Sequence, residues 1–159
     1  MNEKQTILLV DDSEDDIVLM KHAFQAAHFK PSVQTASDGE EAIAYLKGDG
    51  AWADRDEFPL PTVMLLDLNM PKANGFEVLA WVRTQPVLKR LTIIVFSASA
   101  RAEDVERAYE LGVNSYLVKP TTVAQLIAMM CSLRDWLEYN HFPSLQAKET
   151  NRVVQIAST

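Results

Sequence analysis

Apolar residues along this chain alternate between two rhythms. Thr6 to Val10, Thr62 to Leu66 and Leu91 to Phe96 are short continuous apolar runs, the pattern of strands buried on both faces. Val33 to Ala36 and Ser115 to Val118 add two shorter predicted strands. Between the strands, apolar residues recur at helical spacing: Ile17, Met20, Phe24 and Ala27; Ala42, Ile43 and Leu46; Val78, Leu79 and Val82; and finally Leu126, Met130, Leu133 and Leu137. Glu103 to Leu111 is a weaker amphipathic segment with Gly112 behind it. Capping signals agree. Ser13 opens a helix with Asp16 three residues on and negative charge in its first turn, Ser37-Asp38 precedes Glu40-Glu41, and Thr122 stands before Gln125. Gly48 suits a helix stop. Five strands alternating with five helices predict an α/β fold, a five-stranded parallel sheet wound by helices on both faces.

Parallel strands end on one common edge, which is where open α/β sheets bind ligands. The run between Pro61 and Pro71 stops on a carboxylate, Asp67. The first strand runs into Asp11-Asp12, the fourth into Ser97 and the fifth into Lys119-Pro120. Three carboxylates, a hydroxyl and an ammonium should therefore share a cleft. Two unit charges about 4 Å apart interact by roughly 4 kcal/mol at an effective dielectric near 20. Lys119 offsets one carboxylate, and a divalent cation would balance the rest. Oxygen donors without a suitably placed His or Cys favour Mg²⁺ over Zn²⁺. In such a cleft Asp67 can attack a phosphoryl donor and form an acyl phosphate.

Composition narrows the function classes. A net charge of -7 disfavours nucleic-acid binding, which rests on Lys and Arg neutralising phosphates. No stretch of about 18 apolar residues is present, and Met1 to Gln5 lacks the features of a secretory signal, so a soluble cytoplasmic protein is expected. The lone cysteine, Cys131, reads as a buried, inert thiol, and His22, His28 and His141 read as surface residues without metal-ligand spacing.

In these motifs the chain resembles the receiver domain of bacterial two-component response regulators, the group that includes the chemotaxis regulator. The resemblance is carried by Asp11-Asp12, by Leu66-Asp67-Leu68-Asn69-Met70-Pro71 with Gly75, by Ser97 and by Lys119-Pro120, in that order. It implies a flavodoxin-like (βα)5 fold over residues 5–140 and a Mg²⁺-dependent switch phosphorylated on Asp67 by a sensor histidine kinase. Asp12 and Asp67 would bind Mg²⁺ directly, Asp11 through water and Asn69 through its backbone carbonyl. Lys119 would contact the carboxylate and then the phosphoryl group. Ser97 and Tyr116 would form the switch pair, and Lys119–Pro120 would be cis.

Two stretches lie outside the minimal pattern. The segment Gly48 to Pro61 is longer than the usual two to six residues of such a connection, with Trp52 and Phe58 placed to pin it. With the aromatic residues Trp136, Tyr139, His141 and Phe142 near the carboxyl end, it resembles the stand-alone receivers that partner phytochrome-type kinases. Residues 141–159 are expected to form a flexible extension with no output domain, so readout would pass through an unknown downstream protein. Tyr109, Trp136 and Phe142 raise homodimer formation. A phosphohydrolase acting through an aspartyl phosphate is the alternative function. The haloacid dehalogenase type of such enzymes carries a second Asp two residues after the nucleophile, where this chain has Asn69. A flavin binder of similar topology would set its phosphate against the acidic run Asp11 to Asp16, which would repel it.

Overall fold

The computed structural model describes residues 4–145. Its elements follow the predicted order: β1 (Thr6–Val10), α1 (Glu14–Ala26), β2 (Ser32–Ala36), α2 (Gly39–Lys47), β3 (Val63–Leu66), α3 (Gly75–Thr84), β4 (Thr92–Ser97), α4 (Ala102–Glu110), β5 (Ser115–Val118) and α5 (Val123–Tyr139). The five strands pair in the order β2-β1-β3-β4-β5, all parallel, so β3 is central.

Alternation along the strands divides the core in two. Leu8, Val10, Met64, Leu66, Ile93 and Val95 face one way and pack with α2, α3 and Ala108 of α4. Ile7, Leu9, Val63, Leu65, Ile94 and Phe96 face the other way and pack with α1 and α5. A sheet covered on both faces needs apolar residues at every position, which is why these strands read as unbroken runs rather than alternating ones. The helix ends match the sequence signals. Ser13, Asp38, Asn74 and Thr122 each accept a hydrogen bond from the backbone N–H three residues on. Gly48 and Gly112 take left-handed φ values of 74° and 93° at the ends of α2 and α4.

Two expectations change. Among the described residues no peptide bond is cis, so Lys119–Pro120 is trans, the form an X–Pro bond favours by about 0.5–1 kcal/mol. Cys131 is only partly buried, because the inward stripe of α5 is filled by Leu126, Met130, Leu133 and Leu137 and leaves Cys131 at its flank.

The long connection before β3 is anchored. Trp52, Phe58 and Leu60 pack against the α2–α3 side of the core. Arg55 donates to the carbonyls of Tyr45, Leu46 and Phe58 at 2.8, 2.8 and 3.0 Å, so it closes the carboxyl end of α2 from the loop. The Tyr45 ring is fully buried and its hydroxyl donates to Pro59 O at 2.7 Å; burial pushes its pKa up to about 12, with Arg55 pulling the other way. Beyond α5, Phe142 meets the Trp136 ring edge-on at 5.5 Å, and Arg90 donates to Ser144 O. Of the extension expected from residue 141, residues 146–159 lie outside the described residues.

Candidate functional site

Backbone pairing carries the site residues one step past the strands. Asp67 N donates to Val10 O at 3.0 Å, Asp11 N to Ala36 O at 3.1 Å and Lys119 N to Ser97 O at 2.8 Å. The sheet ladder therefore fixes Asp11, Asp67 and Lys119 at its carboxyl edge. Asp11 and Asp67 are buried there, whereas Asp12 and Asn69 are exposed.

The β3–α3 loop is pressed against this edge. A Cβ on Gly75 would lie 2.3 Å from Asp67 O, and one on Gly39 would lie 2.0 Å from Ala73 O, so neither position has room for a side chain. Lys72 and Ala73 adopt positive φ of 49° and 61°, a conformation that L-residues hold only when surrounding packing enforces it. The close packing at Gly39 and Gly75 provides that enforcement.

Lys119 organises the charges. Its Nζ donates to Asp11 Oδ2 at 2.7 Å, to Asp16 Oδ2 at 2.9 Å and to Asp67 Oδ2 at 3.4 Å. Burial pulls the ammonium pKa down, but the hydrogen bonds to Asp11 and Asp16 and the charge of Asp67 outweigh it and hold the pKa above its ordinary value. Asp67 is shifted upward, chiefly because burial penalises its charge and Asp11 adds to the rise; Lys119 and the Asn69 N–H oppose it. A carboxylate desolvated in this way and faced by a fixed cation can act as a nucleophile.

Oxygens of Asp11, Asp12 and Asp67 all lie within 4.8 Å of one another. This all-oxygen, anionic donor set fits a hard divalent cation. Ser97 is fully buried as the last residue of β4, and its Oγ accepts from Ser99 N at 3.2 Å. Tyr116 is half-buried, and its hydroxyl donates to Ser99 O at 2.8 Å, two residues past Ser97.

In the sequence Asp16 has the position of a cap residue and of first-turn negative charge. Its backbone N–H does donate to Ser13 Oγ, but the reciprocal half of the capping box is not made, because Ser13 N donates to Asp11 Oδ1 at 2.9 Å. The Asp16 carboxylate is thereby released to reach Lys119. The available signal was its position, in the first helical turn directly behind the acidic pair.

Comparisons with known proteins show the family of the chain. The profile of the response regulator receiver domain matches residues 7–131. Response regulator Rcp1 of Synechocystis sp. is 35% identical over 144 residues, which span 90% of this chain and 96% of that protein. The crystal structure of a phosphorylated cyanobacterial phytochrome response regulator, RcpA, superposes with a TM-score of 0.81 at 36% identity, covering 89% of this chain and 100% of that one. The Mn²⁺-bound form of Rcp1 superposes with a TM-score of 0.78 at 35% identity, covering 88% and 99%.

Proposed function

The chain belongs to the receiver-domain family of response regulators, phosphoacceptor switches of two-component signalling that take their phosphoryl group from histidine kinases, and we propose how its own residues run that switch. Asp67 is the phosphoacceptor. The observation that carries this reading is its buried carboxylate at the end of the central strand, 3.4 Å from Lys119 and clustered with Asp11 and Asp12. One Asp67 oxygen attacks the phosphorus of a phosphohistidine. The P–N bond breaks, an acyl phosphate forms, and the departing imidazole takes a proton from water.

Mg²⁺, held by Asp12, Asp67 and the Asn69 carbonyl with Asp11 acting through water, would neutralise charge on the phosphoryl oxygens. Lys119 follows the charge from the carboxylate to the phosphoryl group. Ser97 supplies a hydroxyl to a phosphoryl oxygen. Its movement would loosen the Ser99 segment that Tyr116 holds, so the tyrosine ring reports the state of Asp67 to a docking partner. On this reading the protein is a switch that takes part in its own phosphorylation and dephosphorylation, not an enzyme with an external substrate.

Residues 5–140 act as the receiver unit. A phytochrome-type kinase as donor is supported by the likeness to Rcp1 and RcpA, and a cytoplasmic location by the need to meet such a kinase's catalytic region. Exposed Tyr109 and Trp136, on α4 and α5, support a homodimer through that side of the fold or docking of a downstream protein there.

Incubation with acetyl phosphate and Mg²⁺, followed by intact mass and Trp fluorescence, tests the reading. One phosphoryl adduct, labile to acid, to base and to hydroxylamine, is expected, absent from Asp67→Asn and not formed in the presence of a chelator. An adduct that persists in Asp67→Asn would move the acceptor elsewhere.

A further inference from the structure

Lys119 has three N–H donors, and three carboxylates take them. The two short contacts, 2.7 Å to Asp11 and 2.9 Å to Asp16, draw the ammonium toward the start of α1. The contact to Asp67 is the long one, at 3.4 Å. These three partners differ in their access to water. The Asp11 and Asp67 side chains are 2% and 10% exposed, whereas that of Asp16 is 43% exposed. Asp16 is thus the partner that water replaces most easily, and its contact is the one the ammonium gives up at least cost.

From this asymmetry we infer that Asp16 is a positioning residue that holds Lys119 back from Asp67, and that phosphorylation exchanges the Asp16–Lys119 contact for one between Lys119 and the phosphoryl group. The inference rests on Asp67 being the phosphoacceptor. A phosphoryl group on Asp67 takes over that residue's own long contact and sets further anionic oxygens beyond it, so an ammonium whose other two donors are held at 2.7 and 2.9 Å must release one of these to follow the charge. Asp11 is shut away from water and is also held through its other oxygen by Ser13 N. Asp16 has neither constraint on its carboxylate. The same first turn that begins α1 therefore sets how readily the switch is charged.

Asp16→Asn tests this, because it keeps the shape and the backbone bond to Ser13 while removing the charge that holds Lys119. Asp15→Asn is the control: it removes the same charge from the same turn at an exposed residue that makes no contact with Lys119. The readouts are beryllofluoride affinity with Mg²⁺ by calorimetry, the rate of phosphorylation by acetyl phosphate, and the Lys119 side-chain NMR resonances without metal. Asp16→Asn should bind beryllofluoride about two- to fivefold more tightly, the range of a partly exposed ion pair, and phosphorylate faster to match. Its Lys119 resonances should shift, and Asp15→Asn should match wild type in all three. Equal behaviour of the two variants, or weaker binding by Asp16→Asn, would overturn the inference. If folded wild type takes neither beryllofluoride nor phosphoryl groups, the reading of Asp67 fails instead, and the Lys119 resonances still decide whether Asp16 holds the ammonium.

Discussion

Asp67 carries a charge in a place that resists it. Burial raises its pKa above the ordinary carboxylate value, so the folded chain keeps a proton at pH values where the unfolded chain has released it. Stability from this group therefore falls as pH rises from the ordinary value of 3.8 through the raised one, and stays reduced above it. Asp67→Asn removes that cost. In metal-free buffer at pH 7 the variant should melt higher than wild type. The difference should close as pH falls below the unfolded value, which thermal melts across pH would record; a gap that is constant with pH would contradict the assignment. Residue identity at the site was largely legible in the sequence, because Asp11, Asp12, Asp67, Ser97 and Lys119 each follow or finish a strand and parallel strands share one edge. Asp16 was not legible. Its sequence context is that of a cap, and only the spatial competition between Asp11 and Asp16 for Ser13 N shows that its carboxylate goes elsewhere.

At the scale of elements, strand and helix bounds were readable from period and capping, and the connections were not. Trp52 and Phe58 were recognisable as anchors of the 48–61 segment because large apolar residues in a polar loop seek the core. Arg55 was invisible, since nothing in a sequence says that a guanidinium will turn back onto the carbonyls of a helix nine residues earlier. Arg55→Ala should leave the Tyr45, Leu46 and Phe58 carbonyls without this donor and cost about 1–2 kcal/mol. A drop in melting temperature of roughly 2–8 °C would register it. The β3–α3 loop makes the opposite demand, for a missing side chain. Gly75→Ala places a methyl group against Asp67 O, so the backbone that presents the carboxylate must move. Its phosphorylation by acetyl phosphate should slow by at least about tenfold, since small displacements of a reacting group carry large rate costs, and an unaffected rate would show that the loop has slack.

Over the whole molecule, chemistry and additions sit at opposite edges of the sheet. The carboxylate cluster occupies the carboxyl edge, whereas the 48–61 segment leads into β3 and the end of α5 lies beside Gln5, whose side chain donates to Leu137 O just before β1. Past α5 the chain passes from one half of the core to the other. Phe142 packs with the α1–α5 half and Leu145 with the α2–α4 half, while Arg90, ahead of β4, binds Ser144 O between them. This crossing ties together two apolar clusters that the sheet otherwise keeps apart. Among the described residues, its hydrogen bond and its ring contact go to the side chains of Arg90 and Trp136, away from Asp67. Phe142→Ala should therefore separate stability from chemistry. Loss of a partly buried ring and of its edge contact with Trp136 should cost about 1–3 kcal/mol and shift Trp fluorescence to the red. The rate of phosphorylation by acetyl phosphate should stay within about twofold of wild type, because the nucleophile, its counter-charge and the loop pressing on them are all held by the far edge of the sheet. A rate that falls in step with the melting temperature would mean instead that the amino edge is mechanically coupled to the site, and that the crossing segment is part of the switch.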